Sequence, residues 1–174
     1  MIIGICGHKG SGKDYLSAIL REFTGFKVVH FADPIKDILC EVFKISKDEL
    51  NELKNSEDSK ILGTNMRSIL QTFGTDVMQN MFGKRVWVDL VLKEDNLIIA
   101  DVRFQHEVDA ILEKGGFIIK LDSPCLDSHI SESGIDKIPD SCFKYIFDNT
   151  KKDSSILEFA YKVYMEISQK DMSL

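Results

Sequence analysis

The chain has 174 residues, 44% of them hydrophobic and 29% charged, a composition that suits one globular domain with a real core. A formal net charge of −6 argues against a general nucleic-acid-binding surface. No run of 18 apolar residues occurs, so no membrane-spanning helix is expected. The four cysteines, Cys6, Cys40, Cys125 and Cys142, are scattered with no C-x-x-C pair, which points to reduced thiols. No basic segment precedes the first apolar run, so a signal peptide is not expected and a cytoplasmic location is.

Met1 to Cys6 is an apolar run interrupted only by Gly4 and reads as a buried strand. Gly7-His8-Lys9-Gly10-Ser11-Gly12-Lys13 follows, and Leu16, Ile19, Leu20 and Phe23 then recur at helical spacing. Strand, Gly-rich turn and helix start form the context of a phosphate-binding loop. Glycines let backbone N–H groups approach an anion, and the helix N-terminus adds its dipole. Lys13 supplies a point charge for the β- and γ-phosphates. The residue after it is Asp14, where the common pattern has Ser or Thr. A carboxylate there is a Mg²⁺ ligand, directly or through water, and it suits the first turn of a helix. His8 and Lys9 shape the loop or face solvent rather than act as a base.

Phe26 to Phe31 is a second strand candidate. Asp33 reads as an N-cap with Pro34 at the first helical position, ahead of a helix with Ile35, Ile38, Leu39, Val42 and Phe43 on its apolar face. Residues 44–64 are polar and read as an insertion rather than a separate domain. Within them Ser46 and Glu49 make a capping box for a short helix through Leu53.

Asn65 to Phe82 reads as one long helix with Met66, Ile69, Leu70, Phe73, Val77 and Met81 as its buried stripe. Arg67, Gln71, Gly74 and Thr75 form a ridge beside that stripe, and read as a ligand-facing edge or as a solvated face with a packing glycine. Lys84, Arg85 and Trp87 open another short helix. Trp87, the only tryptophan, is either core or a platform for a base.

Asn96 to Asp101 is an apolar strand that ends in an acid, the place where phosphate-loop enzymes orient Mg²⁺ or its water. Asp101-Val102-Arg103 leads into a helix that Gly115-Gly116 ends, and Phe117 to Leu121 is a further buried strand. Residues 122–143 lack periodicity and read as a functional loop, with His129, Ser131, Glu132 and Lys137 as polar candidates. Cys125 and His129 lie four apart, too few ligands for zinc. Lys144 to Phe147 is a last strand, before a C-terminal helix. This alternation predicts an α/β fold with a parallel sheet of about five strands flanked by helices in three layers. Ligands then bind outside the carboxyl ends of the strands, where Gly7 to Asp14, Asp33, Asp101 and Arg103 fall.

The arginines number four: Arg21, Arg67, Arg85 and Arg103. With Lys13, Asp14 and Asp101, the last three supply what phosphoryl transfer needs, a phosphate cradle, Mg²⁺ ligands and cations on the transferred group.

The strings GHKGSGKD, FADPIKD, MRSILQTFGTDVMQNMFGKRVWV, IIADVRFQHEVDAI and DSHISESGI occur in that order. The series resembles the bacteriophage deoxynucleoside monophosphate kinases over nearly the whole chain. R-x-x-x-Q-x-x-G-T-D and D-x-R-x-x-x-E carry the resemblance more specifically than the Gly-rich loop. It implies a nucleoside monophosphate kinase fold in one domain, residues 1–174. Residues about 33–95 would form a nucleotide-binding insertion and about 122–143 a lid. It implies transfer of the γ-phosphate of ATP to a deoxynucleotide, with Mg²⁺, no stable nucleic-acid or membrane partner, and a homodimer as seen in the family.

By that resemblance Gly7, His8, Lys9, Gly10, Ser11, Gly12, Lys13 and Asp14 bind ATP, and Asp14 and Asp101 hold Mg²⁺. Asp33, Lys36, Arg67, Gln71, Gly74, Arg85, Trp87, Arg103 and Glu132 face the substrate. Lys13, Asp14, Arg67 and Arg103 carry the chemistry. The 122–143 segment has no arginine, so Lys137 or Arg85 would replace the one such lids often use. Two alternatives stand beside this reading. One is a kinase of another phosphorylated acceptor, since animal-type phosphomevalonate kinases share the S-G-K-D loop and the D-x-R string. The other is a P-loop ATPase or nucleotide-binding domain. Gln71 and Trp87 favour a nucleobase over an isoprenoid acid, and the Arg67 ridge argues against a domain with no acceptor.

Overall fold

The computed structural model describes residues 1–56, 60–123 and 134–171. The chain divides into two compact units, Met1–His30 with Glu94–Leu174, and Phe31–Lys93.

The first unit is built on a five-stranded sheet. Strand β1 is Ile2–Gly7 and β2 is Lys27–Val29, shorter than the six residues expected. The sheet strands of the second half are β5 (Leu97–Val102), β6 (Phe117–Asp122) and β7 (Tyr145–Asp148). Their order is β2-β5-β1-β6-β7, and every pairing is parallel. All six residues of β1 are buried, as a central strand covered on both faces requires.

Helices α1 (Lys13–Thr24), α7 (Gln105–Glu113) and α8 (Ser155–Asp171) flank the sheet. Ile3, Ile5, Ile98, Ile119 and Leu121 pack with Leu16 and Leu20 of α1 and with Ile156, Ala160, Val163 and Ile167 of α8. On the other face a Cβ at Gly4 would stand 2.5 Å from Ile118 and 2.9 Å from Ile111 of α7. Gly4 is therefore what lets α7 lie close to the sheet.

Two features place the chemistry. The chain first moves from β1 to one side and later crosses to the other, so strand order reverses at β1, and the carboxyl end of such a switch strand is where ligands bind. The second is a register slip. Gly4 lies opposite Ile99, but Cys6 lies opposite Val102. Strand β5 thus carries one extra residue just before its end, and a bulge of this kind re-aims the neighbouring side chain, here that of Asp101.

The second unit has its own core. Helices α2 (Asp33–Phe43), α3 (Lys47–Asn55) and α4 (Met66–Gln71) contribute Leu39, Leu50 and Met66 to it. The expected Ser46–Glu49 capping box is present. The polar stretch 44–64 is thus part of this core through Leu50, and ends in a hairpin, β3 (Lys60–Ile61) and β4 (Thr64–Asn65). Leu62 and Gly63 turn it with φ of 53° and 79°, as a two-residue hairpin loop requires.

Three local expectations are corrected. Ala32, not Asp33, is the N-cap of α2, and Asp33 is the first helical residue. Pro34 fits equally at the second helical position, so the start moves back by one. Val42 and Ile38 are exposed rather than inward. The long helix is not uniform: Thr72–Gln79 winds as a π-helix, and α5 (Asn80–Phe82) closes it. The wider i→i+5 winding turns later residues off the α-helical stripe, which leaves Val77 and Met81 exposed. Helix α6 is Val86–Val91. Among the described residues no helix is long and apolar enough to cross a membrane.

Candidate active site

The Gly-rich loop joins β1 to α1. Gly10 and Gly12 have φ of 79° and 97°, a region closed to most side chains. Gly12 is the N-cap of α1, and Asp14 stands exposed in the first turn. Lys13 folds back over the loop: its Nζ donates to the carbonyls of Gly7 at 2.7 Å and His8 at 2.8 Å. An ammonium group held on two carbonyls at the mouth of a helix N-terminus is poised to exchange them for anionic oxygens.

The remaining loop residues divide between shape and exposure. Ser11 is fully buried, and its N–H closes a turn on the His8 carbonyl at 3.1 Å. Ser11 thus shapes the loop. His8 lies 3.0 Å from the carboxylate of Asp136, through its Nε2, which anchors the loop to the short helix Ile135–Lys137. Lys9 and Gly10 are exposed. Cys6, just upstream, is buried, and burial pushes its thiol up to about 12, so it is no nucleophile at neutral pH.

At the end of β5, Asp101 and Arg103 are both partly buried. Glu107 of α7 fixes this corner, because its Oε2 accepts the backbone N–H of Arg103 at 2.7 Å and of Phe104 at 3.0 Å. Burial pushes the Glu107 carboxyl up to about 7, against the lowering effect of those two donors and with Asp101 raising it further. Glu107 belongs to the D-x-R-x-x-x-E string, yet nothing in the string shows that the acid turns back onto the arginine's own amide. The usable signal is a Glu at the third position of a helix.

Because its folded-state value lies above the unfolded one, Glu107 holds more protons folded than unfolded between about pH 4.5 and 7. Its contribution to stability is full below that window and is lost as pH rises through it. We expect the denaturant midpoint of the wild type to fall between pH 5 and 7.5, by an amount worth on the order of 1–3 kcal/mol. Glu107→Gln, which keeps an acceptor, should flatten this part of the profile. An unchanged slope in Glu107→Gln would assign it to other groups.

Arg67, Gln71, Gly74, Trp87, Asp33, Lys36 and Arg85 lie in the second unit. Arg67 and Gln71 of α4 are exposed, and Arg67 makes no ion pair among the described residues. Gly74 and Trp87 are corrected from ligand-facing to packing residues. Gly74 is buried within the π segment, where a Cβ would stand 2.9 Å from Ile35. Trp87 is 4% exposed, and its indole N–H donates to the Gly74 carbonyl at 2.9 Å. Asp33 and Lys36 pair with each other at 3.6 Å. Arg85 is 3.5 Å from Asp89, one turn along its helix. Lys137 is exposed, whereas Cys125, His129, Ser131 and Glu132 lie outside the described residues.

The likeness to known proteins agrees with this geometry. The deoxynucleotide monophosphate kinase family model matches residues 54–156. A protein of Acanthamoeba polyphaga mimivirus, provisionally named deoxynucleotide monophosphate kinase, is 36% identical over 155 residues, covering 76% of this chain and 80% of its own length. The deoxynucleotide monophosphate kinase of Enterobacteria phage T4 is 32% identical over 82 residues, 40% of this chain and 34% of that protein. Among solved structures, the shikimate kinase of Acinetobacter baumannii in complex with shikimate aligns with a TM-score of 0.55 at 13% identity, covering 97% of this chain and 93% of that one. That likeness is one of fold. The chain belongs to the deoxynucleotide monophosphate kinase family.

Proposed function

We propose that this chain is a deoxynucleoside monophosphate kinase, which transfers the γ-phosphate of ATP to a deoxynucleoside monophosphate and yields the diphosphate and ADP for DNA synthesis. The observation that carries this reading is the family match across residues 54–156, which includes Arg67, Gln71, Asp101 and Arg103. The donor loop, Gly7 to Lys13, supplies the independent physical support.

In this reading the loop takes the phosphates of ATP on its backbone N–H groups, and Lys13 moves from the Gly7 and His8 carbonyls to the β- and γ-phosphate oxygens. Arg67 holds the phosphate of the acceptor, and Gln71 reads its base through an amide that both donates and accepts. Arg103, braced by Glu107, neutralises charge on the phosphoryl group in flight. Asp33, Lys36 and Arg85, each with an intramolecular partner, line the acceptor side less directly. Of the lid expected over residues about 122–143, residues 124–133 lie outside the described residues.

Asp14 and Asp101 are the residues that would hold Mg²⁺. Among the described residues no group of three or more acidic, His or Cys side chains could form a cage for a metal. Two carboxylates fit Mg²⁺ by their chemistry, since that ion takes oxygen ligands and is commonly held by one or two carboxylates together with substrate phosphates. Held by these two residues, Mg²⁺ would supply charge neutralisation for the phosphates. A homodimer and a place in the host cytoplasm belong to the same reading.

The test is a coupled ADP-release assay with Mg·ATP against dAMP, dCMP, dGMP, dTMP, the four ribonucleotides and phosphomevalonate. Release that depends on one or more deoxynucleotides is expected. Release with phosphomevalonate alone, or with no acceptor, overturns the assignment. Within the active pairs, Arg67→Ala should raise the acceptor KM on the order of 10–100-fold, the worth of one or two charged hydrogen bonds, and leave the ATP KM within about twofold. Equal effects on both would remove Arg67 from the acceptor side.

A further inference from the structure

Asn149 is polar, 5% exposed and remote in sequence from the donor loop. It sits between β7 and α8, where its backbone N–H donates to the Asp122 carbonyl at 2.8 Å and its own carbonyl accepts from Lys152 at 3.3 Å. The residue is thereby pinned at the end of β6. Its side-chain Nδ2 donates to the Ser11 carbonyl at 2.8 Å. A Cβ at Gly12 would stand 2.6 Å from that same nitrogen, so Gly12 leaves the space that the amide fills. The orientation of the amide is fixed by chemistry. Reversed, it would set oxygen against oxygen. As it stands, Oδ1 is buried without a hydrogen-bond partner among the described residues, and the side chain is held by its NH₂ alone.

The Ser11 carbonyl belongs to the same planar peptide as the Gly12 N–H, and in a trans peptide the two point in opposite directions. Holding the carbonyl on Asn149 therefore aims the Gly12 N–H the other way. That N–H makes no hydrogen bond among the described residues. Of the other constraints on the loop, the pairing of His8 with Asp136 also reaches outside it, whereas the bonds from Lys13 to Gly7 and His8 are internal and are given up when the lysine turns to a phosphate. The hold from Asn149 is not.

We propose that Asn149 is a positioning residue for the donor loop: it clamps the Ser11–Gly12 peptide from the end of β6 and so fixes the Gly12 N–H as a donor to the phosphates of ATP. The proposal rests on the reading of Gly7–Lys13 as the ATP loop.

The experiment uses the full chain with Asn149→Asp, an isostere that cannot donate when ionised, and Asn149→Ala. Affinity for Mg·AMP-PNP is measured by calorimetry, and KM for ATP and for the accepted deoxynucleotide by kinetics. Both variants should weaken AMP-PNP and raise the ATP KM by about tenfold, the loss of one buried hydrogen bond, with the acceptor KM unchanged within about twofold. A merely structural residue would lower the unfolding midpoint and move neither constant, or move both equally, and either result overturns the clamp. Absence of AMP-PNP binding by the unaltered protein overturns the ATP-loop reading itself, whereas binding that Asn149→Asp leaves unchanged overturns the role of Asn149 alone. The clamp is also read without substitution. By NMR, the Asn149 NH₂ protons of the unaltered protein should be protected from solvent exchange with and without AMP-PNP, and exchange at the rate of an exposed amide in either state overturns it.

Discussion

Lys13→Ala should lower kcat by about 10³-fold or more, the scale of losing one preorganised charge from a phosphoryl-transfer site. The fold should survive. Lys13 is only partly buried, and its two hydrogen bonds go to loop carbonyls rather than to the core. The change in unfolding free energy should therefore stay near roughly 1 kcal/mol. The measurement is kcat by ADP release beside a circular-dichroism melt on the same sample. A large fall in kcat with an intact melt assigns the lysine to the transferred group. A near-normal kcat would take the loop out of the reaction. Lys13→Arg should not restore the rate, because a planar fork cannot stand in for a compact ammonium in this loop.

Arg103→Ala is expected to cost a similar factor, about 10³ in kcat, as for arginines that stabilise charge on a transferred phosphoryl group. The effect should fall on kcat far more than on either KM, since the interaction strengthens in the transition state. The backbone at Arg103 is tied to Glu107 through its N–H, which does not depend on the side chain, so the corner should keep its form in the variant. Arg103→Lys is the informative companion. It keeps the charge but loses the bidentate donors, and should recover only part of the rate. A loss confined to KM for ATP would make Arg103 a binding residue with no part in the transition state.

Much of this arrangement could be read from residues in a row. Met1–Cys6, Asn96–Asp101 and Phe117–Leu121 are apolar runs with turn signals at their ends, and each is a strand of the sheet within a residue or two. The loop from Gly7 to Lys13 was legible for the same reason, since all its parts are contiguous. What escaped depends on partners far away in the chain. Asn149 and Ser11 are separated by 138 positions, and no local pattern marks an asparagine that reaches so far. Trp87 reads as core or as a platform for a base, and helical spacing puts Gly74 beside Arg67 and Gln71, as part of a ligand edge or as a packing glycine. The π winding and the indole hydrogen bond turned it inward. The bulge before Asp101 arises from pairing between strands, about which a single apolar run says nothing. The N-cap of α2 was misplaced for a simpler reason: Asp33 is as good in a first helical turn as at the cap.

The strand order has a consequence for synthesis of the chain. Strand β1 leaves the ribosome well before its two neighbours in the sheet, β5 and β6, which comprise residues 97–102 and 117–122. Until then β1 has both edges open, and an unpaired apolar strand is a hazard for misassociation. The segment Phe31–Lys93 is contiguous and closes its own core, so it can complete during that wait. The sheet, with its long-range parallel pairings, is the slow step. The donor loop hangs from β1, and Asn149 arrives later still, so the loop should not be set for ATP until more than a hundred further residues have been made after it.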